Sequence, residues 1–484
     1  MAGNERAAPQ EAARLLYCPA LRGRRHTVDT LGAQQANRRL NQGSAARCML
    51  GVLCIALATQ RLGSQSPFDD ERPGAPASWQ KVSLPEAGLE IFWPQDFERL
   101  PARALHPIHA RGKLGGGSIE LEVAWLTSNF ATVSRVLLGL ATDSKLVEVE
   151  AMRLDKHVAA IFTRDLSTSK HRRIGLVVCP RNEAVIIECN LPPGAPSTTP
   201  AAVRHLLRYA RLVPRKGLTV VQEDDDARLR RRIEVGFVEN DRKAVTVRQS
   251  ANYRLFTTAP ATDTVLDLLE TELLPRVIAI CGIAPDPSAP LSLFVHKSRA
   301  KYILASMQLG LSAQQGEAMA GHAWDDNYAT WYADARSPVH IHEGTHQYMT
   351  ATLGLDGGGP WLQEGFARWI ETQFSRETPA RNARNLLRSR EDFPSLAALI
   401  QERSFLFGGS KTLGFEAAEL YDISASFVRY LAQEHRQQFR RLLLRLGVLP
   451  SGEVALVQRA IEDTLALAFS KVEEDWRRWL REDL

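Results

Sequence analysis

No stretch of this sequence is apolar for long enough to cross a membrane as a helix. The longest candidate, Cys48–Ala58 (CMLGVLCIALA), has about half of the ~20 residues a span needs. The six cysteines, Cys18, Cys48, Cys54, Cys179, Cys189 and Cys281, contain no Cys-x-x-Cys pair, so a structural zinc knuckle is not expected. No GxSxG occurs, and a serine hydrolase of that kind lacks its nucleophile signature. No GxxxxGK occurs either. The Gly115-Gly116-Gly117 run therefore reads as a hairpin turn, and Ser410-Lys411-Thr412 after two glycines is not a phosphate loop. Nor is there an excess of one charge along the body of the chain. The formal net charge is +5, and residues 1–47 account for it, with Arg6, Arg14, Arg22, Arg24, Arg25, Arg38, Arg39 and Arg47 set against Glu5, Glu11 and Asp29. The rest is close to neutral, which does not favour a nucleic-acid partner.

What is present is an ordinary globular balance, 44% hydrophobic and 24% charged, over 484 residues, more than one usual domain holds. The apolar segment 48–58 follows a basic arm and ends in Ala56-Leu57-Ala58. It has the length and cleavage pattern of a signal-peptide core, so residues 1–58 read as a leader of an exported protein. A periplasmic, envelope-associated or extracellular location is expected, with any membrane contact made only through that leader if it is retained. The alternative is a short buried helix of a cytosolic protein. Residues 59–78 are polar and rich in Pro and Gly, and read as a linker.

Residues 79–215 have the pattern of a small α+β domain with an antiparallel sheet. Strands are expected at Val82–Phe92, Ser118–Trp125, Lys156–Thr163, Ile174–Val178 and Ala184–Cys189, and helices at Thr132–Ala141 and Pro200–Ala210. This layout resembles the PsbP/Mog1-like domains at the level of pattern and carries no catalytic constellation. Cys179 and Cys189 flank a turn at Pro180–Glu183. Export would permit a disulfide, burial would leave free thiols, and register counting does not place the two opposite each other. Glu223–Arg232 reads as a solvated connector or helix face. In 217–484, strands at Tyr253–Thr257 and Leu291–His296, a long amphipathic helix at Thr264–Cys281 and a mainly helical remainder describe a second, α+β domain.

Chemistry concentrates in that second domain. His342-Glu343-Gly344-Thr345-His346 is HExxH, and residues four apart on a helix share a face, so His342 and His346 can grip one ion with Glu343 beside it as a base. A third histidine six residues further on would continue a metzincin pattern, but that place is Thr352, and Met349 stands where a glycine belongs. Instead, Pro360 opens a helix, Trp361-Leu362-Gln363-Glu364-Gly365-Phe366-Ala367-Arg368-Trp369-Ile370-Glu371, after a glycine-rich loop. Glu364 can return to the ion as its third ligand, leaving a fourth position open. His340 is expected to be a neighbour of the site or a surface residue, and His322 and His435 to lie elsewhere.

HEGTHQ followed by WLQEGFARWIE resembles the gluzincin, or peptidase MA-like, superfamily, whose aminopeptidase N branch carries a similar EGFA segment. The likeness covers roughly 245–435, and extends to bacterial exported proteins with a peptidase MA-like domain. It implies a thermolysin-like catalytic domain, Zn2+ as cofactor, a peptide or protein substrate, and zinc ligation by His342, His346 and Glu364 with Glu343 as general base. It also implies that Glu371 supports a ligand from behind and that Tyr421, in Tyr421-Asp-Ile-Ser424-Ala425, stabilises the oxyanion, with Ser424 in place of the family's glycine. The aminopeptidase Gly-x-Met-Glu-Asn strand has no full counterpart, since Gly316-Glu-Ala-Met319-Ala320 lacks the Glu and Asn. Exopeptidase specificity is therefore not supported. Asp326–Tyr332 is the candidate edge strand for aligning a substrate backbone. The competing reading is a non-catalytic, zinc-stabilised binding protein of the cell envelope.

Overall fold

The structure is a computed structural model that describes residues 75–482, apart from 86, 102–107, 128–131, 156, 168–170, 181–182, 214–224, 261, 376–377 and 406–408. The leader over 1–58 and most of the linker lie outside the described residues.

Alternating burial builds the first part. Strands β1 (Trp79–Leu84) and β2 (Leu89–Pro94) form an antiparallel hairpin, which corrects the single strand expected over Val82–Phe92. Pro85 cannot donate to a ladder and Gly88 takes a φ of +64°, so the chain turns there. Seven further strands make one wholly antiparallel sheet: β3 (Glu98–Leu100), β4 (Ile108–Leu114), β5 (Gly117–Thr127), β6 (Ser144–Leu154), β7 (His157–Leu166), β8 (Arg172–Val178) and β9 (Glu183–Leu191), in the order β3-β4-β5-β9-β8-β7-β6. Helix α1 (Val133–Leu140) lies between β5 and β6 in the chain. Helix α2 (Thr199–Arg208) and strand β10 (Arg211–Leu212) follow β9, and β10 joins β2. Val203, Leu206 and Leu207 of α2 pack into the core with Leu121, Ile161, Leu176 and Ile187 of the sheet. Cys179 and Cys189 are free thiols; Cys189 faces Ile174 across β8, and Cys179 follows the end of that strand.

The second part opens with α3 (Asp225–Gly236), a largely exposed helix. A five-stranded mixed sheet follows, from β11 (Thr246–Gln249), β12 (Tyr253–Thr257), β13 (Leu291–Val295), β14 (Gly321–Trp324) and β15 (Asn327–Thr330), in the order β11-β12-β13-β15-β14. The long helix expected over Thr264–Cys281 is present as α4, residues 263–281. Its middle, Leu269–Leu273, widens to π geometry just before Pro275, whose missing N–H interrupts the ladder. Helices α5 (Arg299–Gln308) and α6 (Ala313–Ala318) cross from β13 to β14. This crossover corrects one expectation. Asp326–Tyr332 does not hold the edge of the sheet, because β15 is enclosed between β13 and β14, and β14 is the edge.

After β15 the named elements among the described residues are all helices: α7 (Val339–Gln347, continued in π geometry by Tyr348–Leu353), α8 (Pro360–Glu371), α9 (Pro379–Ser389), α10 (Leu396–Gln401), α11 (Ala417–Glu434), α12 (Arg436–Gly447), α13 (Val454–Leu465) and α14 (Phe469–Glu482). Helix α11 is buried on most sides because α8, α9, α12 and α14 all pack on it. The chain is thus α+β, with antiparallel sheets first and a mainly helical C-terminal half. The sheet part and the helical part pack into one compact unit.

Candidate metal centre

Every residue of α7 is buried, which is unusual for a segment with three histidines and a glutamate. Helical spacing brings two of those rings together, with Nε2 of His346 lying 3.2 Å from Nε2 of His342. Helix α8 packs on α7 and delivers Glu364, whose Oε2 is 3.1 Å from Nε2 of His342 and 3.3 Å from Nε2 of His346. Among the described residues, this is the one cluster of three or more His, Cys, Asp or Glu side chains placed to hold an ion.

A cation fits these atoms on two grounds. The first is the donor count. Nδ1 of His342 lies 3.0 Å from Oε2 of Glu371, and an ionised carboxylate only accepts, so Nδ1 carries the hydrogen. A neutral His342 then offers a lone pair at Nε2, beside a carboxylate oxygen of Glu364 and Nε2 of His346, which is a further lone pair when His346 carries its hydrogen on Nδ1. Buried acceptors facing one point are stabilised by positive charge between them. The second ground is size. Ligand bonds of about 2.1 Å in a tetrahedron separate neighbouring ligand atoms by about 3.4 Å. The three separations here, 3.1, 3.2 and 3.3 Å, are close to that value.

The support behind His342 extends further. Arg368 donates from Nη1 to Oε1 of Glu371 at 2.7 Å and from Nε to Oδ1 of Asp422 at 3.1 Å. Asn382 donates to the other oxygen of Asp422 at 2.6 Å. Burial alone would raise the Glu371 carboxyl, but the His342 hydrogen bond and Arg368 hold it below its usual range. Burial opposes ionisation of Glu364; positive charge on His346 and His342 and hydrogens donated by them outweigh burial and lower its pKa to about 2, a part that a cation takes when both rings are neutral.

Glu343 is different. It is 2% exposed, its Oε1 has no hydrogen-bond partner, and burial raises its pKa despite the pull of His342 and His346. Edge strand β14 runs directly beside it: a Cβ placed on Gly321 would lie 3.0 Å from Cγ of Glu343. Tyr421 comes from α11, which approaches α8 closely at Gly365, where a Cβ would meet the backbone of Ser424 at 2.9 Å. The small pair Gly365–Ser424 thus sets the crossing, and the Tyr421 ring stands edge-on to His342 with centroids 6.3 Å apart. The six expected residues, His342, Glu343, His346, Glu364, Glu371 and Tyr421, therefore converge.

His340, His322 and His435 are not among the clustered residues. His340 is fully buried and bonds the Tyr328 hydroxyl, tying α7 to β15, which removes the surface alternative. Nδ1 of His322 is 2.9 Å from the Tyr302 hydroxyl, and His435 is 3.3 Å from that of Tyr430. Three residues around the centre carried no signal strong enough to single them out. Gln347 donates to the carbonyls of Ser292 and Asp326 at 2.8 and 2.7 Å, fastening α7 to the sheet. Arg368 and Asp422 form the bridge described above. Only Arg368 had a local cue, one turn after Glu364 and three residues before Glu371.

No family model and no curated protein matches the chain. Among solved structures, the M1 zinc metallopeptidase from Deinococcus radiodurans is 12% identical, with a TM-score of 0.33 over 82% of this chain and 95% of that one. A mutant of the same protein is 12% identical with a TM-score of 0.34. Cyanobacterial PsbP (CyanoP) from Synechocystis sp. PCC 6803 is 14% identical, with a TM-score of 0.23 over 29% of this chain and 96% of its own. Likenesses of this size show neither family nor activity.

Proposed function

We propose that the chain is a zinc-dependent peptidase of the gluzincin type. The observation that carries this reading is the unpartnered, buried carboxylate oxygen of Glu343 beside the converging side chains of His342, His346 and Glu364. A purely structural metal site has no use for a base, and burying an unsatisfied carboxylate oxygen is costly unless the group has a task. The same observation counts against the zinc-stabilised binding protein.

His342, His346 and Glu364 would hold the ion, with Glu371 fixing the ring of His342. When bound, zinc supplies Lewis-acid polarisation of the scissile carbonyl and makes water more acidic. Glu343 takes the proton of the attacking water and delivers it to the leaving amine. Tyr421 donates its phenol hydrogen to the developing oxyanion. The free edge of β14, passing beside Glu343, is where an extended substrate backbone would pair. Ala320 and Gly321 at its start offer no carboxylate for a terminal amine, so an exopeptidase mode gains no support there.

The test is proteome-wide cleavage profiling with wild type and Glu343→Gln at equal zinc content. New N-termini in the wild-type sample alone support the reading. The same cleavages from both proteins contradict it.

A further inference from the structure

The two ligand-bearing helices are joined by residues 354–359, and that loop is held by the sheet part of the chain. Asp356, whose side chain is 5% exposed, is the point of attachment. Its Oδ2 accepts from Thr132 Oγ1 at 2.9 Å and pairs with Nε of Arg135 at 2.9 Å, while its Oδ1 accepts from Ser134 Oγ at 2.5 Å. All three partners lie in the first turn of α1, where Thr132 is also the N-cap, accepting from the Arg135 amide at 3.4 Å. A carboxylate at a helix N-terminus also meets the favourable end of the helix dipole.

From Asp356 the contacts lead into the metal centre. Gly357 donates its amide to the Gly447 carbonyl at 2.8 Å, and its own carbonyl accepts from Nε2 of Gln363 at 2.7 Å. Gln363 is the residue before Glu364. The first turn of α8 is thereby tied to the loop, and the loop to α1. We propose that the α1 end of the seven-stranded sheet is a positioning element of the metal centre, acting through Asp356 to set where Glu364 meets His342 and His346. The proposal rests on the zinc-site reading above. It gives the N-terminal part, which contributes none of the clustered residues, a role in metal binding.

The experiment uses the full chain and measures zinc dissociation constants by competition with a chromophoric chelator, together with the visible absorption of the cobalt-substituted protein. The variants are Asp356→Ala, Arg135→Gln and Ser134→Ala. Arg459→Ala serves as control: it removes a different link between the two parts, from Nη1 to the Val147 carbonyl at 2.8 Å. Weakening of zinc binding by about tenfold in Asp356→Ala, a smaller loss in Arg135→Gln and Ser134→Ala, and a changed cobalt spectrum are expected, with Arg459→Ala like wild type. Ser134→Ala deletes a single hydroxyl and keeps the test open if the larger changes fail to fold. Unchanged zinc affinity and cobalt spectrum in the folded variants would overturn the proposal, as would an equal loss in Arg459→Ala. Failure of the wild type itself to bind zinc would instead overturn the metal-site reading, and this proposal with it.

Discussion

Nδ1 of His342 stands 3.0 Å from Oε2 of Glu371, and that contact decides what the other face of the ring can do. It places the hydrogen on Nδ1 and leaves Nε2 with a lone pair that an ion could take. Glu371→Gln can keep a hydrogen bond but loses the charge that fixes the tautomer. Zinc affinity should fall by about 10- to 100-fold, read by chelator competition, with little change in the far-ultraviolet circular dichroism. Affinity equal to wild type would remove Glu371 from the account.

On the proposed reading, Glu343 serves the reaction and does not hold the metal. Glu343→Gln should bind zinc as wild type does and lose activity by about 10²- to 10⁴-fold, compared through kcat/KM on any substrate that profiling yields. Loss of zinc in that variant would mean that Glu343 serves the ion directly.

The Gly365–Ser424 approach leaves no room for a side chain. Gly365→Leu should therefore separate α8 from α11 and destabilise the protein by about 1–3 kcal/mol, seen as a lower melting temperature. Gly365→Ala should do less. A melting temperature unaltered in Gly365→Leu would show that the crossing is looser than these distances imply.

Asp325 gives a pH-dependent test away from the metal. Burial raises its pKa to about 7, helped by Asp326 and Asp356 and opposed by Arg135 and Arg232. The folded carboxyl thus holds its proton more tightly than the unfolded one. Stability is then lost as pH rises from the ordinary carboxylate range through about 7. Asp325 also has a φ of +51°, which asparagine tolerates. Asp325→Asn should melt above wild type at pH 8 and close to it at pH 4. An equal difference at both pH values would contradict this.

The clustering of His342, His346 and Glu364 is legible in the sequence because its geometry is local. His342 and His346 are one helical turn apart, and Pro360 marks the start of the helix that holds Glu364. What stayed hidden depends on partners far away in the chain. Asp422 meets Arg368 across 54 positions and Asp356 meets Ser134 across 222, and neither pair has a local pattern. The edge of the mixed sheet was misplaced for the same reason. Strand character in Asp326–Tyr332 is visible locally, but strand order is set by the α5–α6 crossover and by the β14–β15 hairpin. The hairpin of β1 and β2 is signalled by Pro85 and Gly88 and by an apolar phase that passes from Val82 and Leu84 to Leu89, Ile91 and Trp93, but β1 contributes too few apolar residues to mark a strand of its own.

The most direct test of the central claim is the zinc content of the purified full-length protein, measured by elemental analysis after dialysis, beside His346→Ala. The account predicts one zinc per chain in wild type and none above buffer in the variant. A folded wild type that binds no zinc when supplied with it, or a variant that retains the full complement, would contradict it.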